Sequence, residues 1–160
     1  ALFFIVGILY EQRHTREIKE YGGVWKVMPV FSALTLIVTL SSMGLPGLNG
    51  FVGEFTILLG SMGAESLGAN PWIFTAFATT GVILAAVYLL WMFQRVFMGP
   101  LDKPANEKLR DLNGGELAIM LSFMLFIIWI GVAPSGFFSL MDGTVSQLVA
   151  DIGSVLMAGH

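Results

Sequence analysis

Residues 28–62 read MPVFSALTLIVTLSSMGLPGLNGFVGEFTILLGSM, and the fold turns on whether this run is one membrane crossing or two. As unbroken helix at 1.5 Å per residue it would extend roughly 50 Å, well beyond the ~30 Å of hydrocarbon in a bilayer. The motif GLPGLNG, residues 44–50, interrupts it with one proline and three glycines. Proline removes a helical N–H and clashes with the preceding turn, and glycine weakens a helix interior. The stretch therefore reads as one discontinuous helix broken at Pro46, Gly47 and Gly50.

The charges on either side support a single crossing. All eight Lys and Arg residues fall in two loops, Arg13, Arg16, Lys19 and Lys26 in one and Arg95, Lys103, Lys108 and Arg110 in the other. The connector 63–70 and the tail after Ala133 carry none, so the positive-inside rule places the two basic loops on the cytoplasmic side. Two full crossings within 28–62 would put a basic loop on the wrong side. Working outward, residues 72–97 and 116–133 read as ordinary membrane helices. Residues 1–10 cover only about 14 Å as helix and read as the end of a helix begun upstream. After Pro134, residues 134–160 place Leu140, Val145, Leu148, Val149 and Ile152 near helical spacing, as in an amphipathic helix on the non-cytoplasmic surface or a frayed tail.

Composition agrees with this architecture. Hydrophobic residues make up 56% of the 160 positions and charged residues 12%, with a mean hydropathy of +0.80. Soluble domains carry roughly a quarter charged residues, so the bilayer is the solvent here. No cysteine is present, which excludes disulfides and cysteine-held iron–sulfur clusters in this segment. Nothing in the charge pattern points to nucleic acid, and His14 with the distant His160 makes no metal-ligand set. The fold class is thus an all-α, polytopic membrane helix bundle forming a single membrane domain over 1–160.

Glu54 is the only ionisable residue between Met28 and Met62, four positions after Gly50. A charge at that depth costs several kcal/mol and usually serves a pathway. Desolvation raises a carboxyl pKa while a nearby cation or a half-helix N-terminus lowers it, and proton transfer needs that balance. A permanently paired structural carboxylate is the plain alternative. Ser32, Thr35, Thr39 and Ser42 share one helical face, suited to close packing or to lining a hydrated path. His14 and Arg16 read as loop charges or a proton-entry point, and Tyr88 and Arg95 as interfacial anchors or path residues.

The strings LYEQRHTRE, GGVWKVMPV, GLPGLNGFVGEF and VYLLWMFQRVFMG resemble the end of the M-type (mitochondrial subunit 4 type) antiporter-like membrane subunits of NADH:quinone oxidoreductase, respiratory complex I. The resemblance implies the C-terminal part of the fourteen-helix antiporter-like fold, whose twelfth helix is broken. There the last ionisable group of the proton path is Glu in the M type and generally Lys in sister subunits and multi-subunit Na⁺/H⁺ antiporters. Carried over by motif, Glu54 is that group, with His14, Arg16, Tyr88 and Arg95 as supporting positions. It also implies proton translocation without electron transfer in this subunit. FMN and iron–sulfur clusters belong to other subunits, quinone is the substrate, the other membrane-arm subunits are partners, and a bacterial plasma membrane is the location. The rivals are a cation/proton antiporter subunit, a hydrogenase-complex membrane subunit and a non-transporting helix bundle.

Overall fold

The computed structural model describes residues 1–64 and 70–158, with 153–158 as backbone alone. Eight α-helices and one 3-10 turn, with no strand, make up the described residues. They are α1 (Leu2–Arg13), α2 (Val24–Val27), α3 (Pro29–Ser42), α4 (Asn49–Met62), α5 (Pro71–Val96), α6 (Pro104–Glu107), α7 (Gly114–Val132) and α8 (Ser135–Ala158), with the 3-10 turn at Ile18–Glu20 after α1. Residues 65–69 of the 63–70 connector and His160 lie outside the described set.

The helices start and stop for local reasons. Pro29 and Pro71 open α3 and α5, where a missing N–H costs nothing. Asn113 and Glu116 form a reciprocal capping box at the start of α7, each side chain accepting the other's backbone N–H at 2.8 Å. The N-terminus of α3 is capped from a distance. The Asp111 carboxylate accepts the N–H groups of Val30 at 2.9 Å and Phe31 at 3.0 Å, and that of its neighbour Leu112 at 2.8 Å. Replacing Asp111 by Ala should destabilise the packing of α3 by about 1–2 kcal/mol, the usual cost of losing a helix cap. An unchanged thermal midpoint of the purified assembly would show the cap to be dispensable.

The 97–113 loop is stapled to the 14–23 loop. Asn106 is fully buried, its amide donating to the carbonyls of Glu20 at 3.3 Å and Gly22 at 3.4 Å. Gln12 and Arg110 exchange side-chain to backbone hydrogen bonds at 3.1 and 2.9 Å, and Trp25 N–H donates to the Phe97 carbonyl at 3.0 Å. Glu20 receives both Lys103, at 3.7 Å, and Arg13, at 3.9 Å. Tyr21 donates its hydroxyl to the Thr15 carbonyl at 2.8 Å. Burial pushes the Tyr21 phenol above its ordinary pKa, against a smaller opposing pull from Arg13, so it keeps that proton at neutral pH. Beneath the loops, Trp25, Phe31, Phe93 and Phe97 form an aromatic core, with Phe93 and Phe97 stacked at 4.6 Å.

The two basic loops therefore lie on one side of the bundle. Cysteines introduced at Ala105 and at Asn70, both exposed, should label from opposite sides of a sealed membrane. Labelling of both from the same side would overturn the topology.

The hydrophobic bodies of α5 and α7 are long and apolar enough to cross a bilayer. Much of their surface is exposed in this chain, including Phe77, Ile83, Leu84, Leu125 and Val132. Such surface is stable only against lipid or other helices. α4 packs against α5 and α7, and Ser61 shares a 2.8 Å hydrogen bond with Thr75 across the α4–α5 contact. α8 continues helically from Ser135, with Leu140, Val145, Leu148, Val149 and Ile152 exposed.

Candidate functional site

The interruption lies between Ser42 and Asn49, and its stop signal is Gly44, which the sequence reading had not singled out. Gly44 sits at φ 74. Its N–H donates to the Ser41 carbonyl at 3.1 Å and the Leu45 N–H reaches back to the Leu40 carbonyl at 3.1 Å. That pair of bonds is the Schellman closure of a helix C-terminus. Leu45–Leu48 then form a turn, the Leu48 N–H donating to the Leu45 carbonyl at 3.1 Å. Pro46 fills its second position and Gly47, at φ 91, its third, the residue choice of a type II turn. The chain re-enters helix at Asn49, whose side-chain oxygen accepts the Ser41 hydroxyl and ties the two half-helices together. Gly50 allows their close approach, because a Cβ there would lie inside the Ser41 carbonyl.

Leu45, Pro46 and Gly47 are exposed. Gly131 of α7 lies against the backbone of Gly47 and Leu48.

Glu54 lies in the second turn of α4, half-buried, with its side chain folded back over Gly44. A Cβ on Gly44 would collide with one carboxylate oxygen and stand 3.2 Å from the carboxyl carbon. Glycine is thus required at 44 twice, for its backbone angle and for the space the carboxylate occupies. Among the described residues Glu54 has no hydrogen bond or ion pair.

Glu54, Pro46, Gly47 and Gly50 are brought together; His14, Arg16, Tyr88 and Arg95 are not. His14 caps α1 in the left-handed region at φ 52, exposed, with its ring 5.9 Å from that of Tyr10. Arg16 lies over the same Tyr10 ring at 4.8 Å. α1 extends through Arg13, past the residue-10 boundary read from the apolar run, and this is why His14 becomes a cap rather than a free loop residue. Arg95 is exposed over Trp91 at 4.5 Å, and Tyr88 is 60% exposed. The length of α3, about 21 Å for 14 residues, separates the His14–Arg16 loop from the break. Arg13 is the cation the sequence reading missed. Its side chain is 10% exposed, beside Glu20 and 5.9 Å from the centre of the Tyr21 ring. A sequence gives no sign which of Arg13 and Arg16 turns inward.

The hydroxyl face of α3 is turned inward. Ser32, Thr35 and Thr39 are buried, and the hydroxyls of Ser32, Thr39 and Ser42 bond the carbonyls four residues earlier at 2.7–2.9 Å. Thr35 faces a mostly apolar cavity of about 270 Å³ between α1, α3 and α5, lined also by Leu9, Tyr21 and Phe97. This cavity adjoins the basic loops and does not include Glu54.

A broken helix with a carboxylate folded over the break, in an all-helical bundle whose α5 and α7 are long and apolar enough to cross a bilayer, is the architecture of a membrane helix bundle. Residues 1–85 match the sequence profile of the NADH:quinone oxidoreductase/Mrp antiporter transmembrane family, and the chain belongs to that family. It is a segment of a multi-pass membrane protein. It is 42% identical over 149 residues to NADH-ubiquinone oxidoreductase chain 4 of Arabidopsis thaliana, covering 93% of this chain and 29% of that protein. It is 40% identical over 162 residues to NADH-quinone oxidoreductase subunit M of Rhodobacter capsulatus, covering 99% of this chain and 30% of that protein. Among solved structures, a chain of respiratory complex I from Thermus thermophilus with bound NADH superposes with a TM-score of 0.75 at 39% identity. That match covers 86% of this chain and 27% of the other. The chain thus spans under a third of the length of the curated relatives it matches.

Proposed function

We propose that this chain is the C-terminal portion of the M-type membrane-arm subunit of NADH:quinone oxidoreductase, in which Glu54 takes up and releases a proton at the helix break. The observation that carries the reading is the Glu54 carboxylate folded over Gly44 at the break between the two half-helices. A charged group at membrane depth is costly and usually serves a pathway, and transporters place ion sites at such breaks. The subunit performs no electron transfer itself. The resemblance assigns FMN and the iron–sulfur clusters to other subunits, which reduce quinone and supply the driving force. Its partners are the other membrane-arm subunits. The basic loops face the cytoplasm of a bacterium and α8 lies along the opposite surface of the plasma membrane. Glu54 also favours this over the related cation/proton antiporters, where the resemblance implies Lys.

Affinity isolation of the full-length subunit from gently solubilised membranes tests the assignment. It should recover a flavin-containing assembly that oxidises NADH with quinone. Recovery of a flavin-free assembly that exchanges Na⁺ for protons would establish the antiporter reading instead.

A further inference from the structure

We infer that Gly131, on α7 and outside the break, sets the position of the Glu54 carboxylate and is a positioning residue for proton transfer. The inference rests on the proton-transfer reading of Glu54 given above.

α7 packs against both half-helices, and two contacts of the 111–132 segment bear on the break. At its start, Asp111, two residues before the α7 cap, holds the first N–H groups of α3. At its end, the Cα of Gly131 lies directly on the turn. A Cβ there would stand 2.5 Å from Leu48 Cα and 2.6 Å from the Gly47 carbonyl carbon, and nearer still to the Gly47 oxygen. All three are backbone atoms, so no change of rotamer relieves the contact. Between these points α7 runs as an uninterrupted helix of 19 residues with a capping box at its start. The first half-helix and the turn that follows are therefore held between two fixed points on one strut.

A methyl group at 131 would push the turn away from α7. The turn carries Gly44 at one end, beneath the carboxylate, and Asn49 at the other, at the head of the half-helix that bears Glu54. Displacing it moves the carboxylate relative to the break, although Gly131 touches no part of Glu54.

The test uses the full-length subunit in the assembled complex, reconstituted in sealed vesicles, as Gly131→Ala, Glu54→Gln and the double variant. Gly131→Ala should assemble and lower coupled turnover on the order of tenfold, since small misplacements of a reacting group cost that much or more. In the Glu54→Gln background the same substitution should leave the residual quinone-reduction rate unchanged, because the group it positions is gone. A loss that multiplies in the double variant would overturn the inference, showing that Gly131 supports the fold independently of Glu54. Normal pumping by Glu54→Gln alone would instead remove the proton-transfer reading beneath it. If Gly131→Ala lowers assembly, protons pumped per quinone reduced are measured on the complex that does assemble, and a normal ratio and rate there would overturn the inference.

Discussion

Glu54→Gln in the assembled complex should cut coupled proton pumping, and the quinone reduction tied to it, at least ~10-fold, because removing a proton-transfer group commonly costs 10²–10⁴ in rate. Gln keeps the size and the acceptor oxygen of Glu but cannot titrate. Assembly should persist. A neutral amide is cheaper to place at membrane depth than a carboxylate. Glu54→Asp should keep the chemistry with shorter reach and give an intermediate rate. Glu54→Lys should retain part of the function, since the resemblance implies Lys at this position in sister subunits. Protons moved per electron in sealed vesicles, with assembly checked on native gels, is the measurement. A Gln variant that assembles fully and pumps at the normal rate and ratio would make Glu54 structural.

Gly50→Ala should do the greatest structural damage of any single methyl group added to the break. The added Cβ would occupy the position of the Ser41 carbonyl oxygen and stand 3.0 Å from its carbon. Overpacking of this kind costs about 1–3 kcal/mol where side chains can yield, and backbone yields less readily. Moving the two half-helices apart would also break the Ser41–Asn49 hydrogen bond that joins them. Assembled complex should fall several-fold, with the remainder melting at lower temperature. Gly47→Ala is the control. Nothing lies within 4 Å of a Cβ at 47, so only the left-handed backbone angle opposes it, at about 1–2 kcal/mol. A Gly50 variant as stable as the Gly47 variant would show that the half-helices separate freely.

The sequence by itself determined the all-helical membrane class, one discontinuous helix across residues 28–62, the segregation of every Lys and Arg into two loops, and a single candidate carboxylate at the break. These follow from properties carried by each residue alone: apolar length against bilayer thickness, a proline without its N–H, and the desolvation cost of a charge. Tertiary structure decided the rest. Which glycine ends α3 depends on a backbone angle at Gly44 and on the carboxylate ten residues later that needs the same space. Arg13 rather than Arg16 turns inward because Glu20 and Tyr21 fold back to receive it. The 97–113 segment is polar, as a linker would be, yet its Asn106 is buried and its Asp111 caps a helix some eighty residues away in sequence. Gly131 reads as an ordinary glycine in an apolar helix until α7 is laid against the turn at Gly47. The division has one physical cause: solvent preference is a property of single residues and is legible along the chain, whereas caps, close approaches and shared space are pairwise and exist only once distant segments meet.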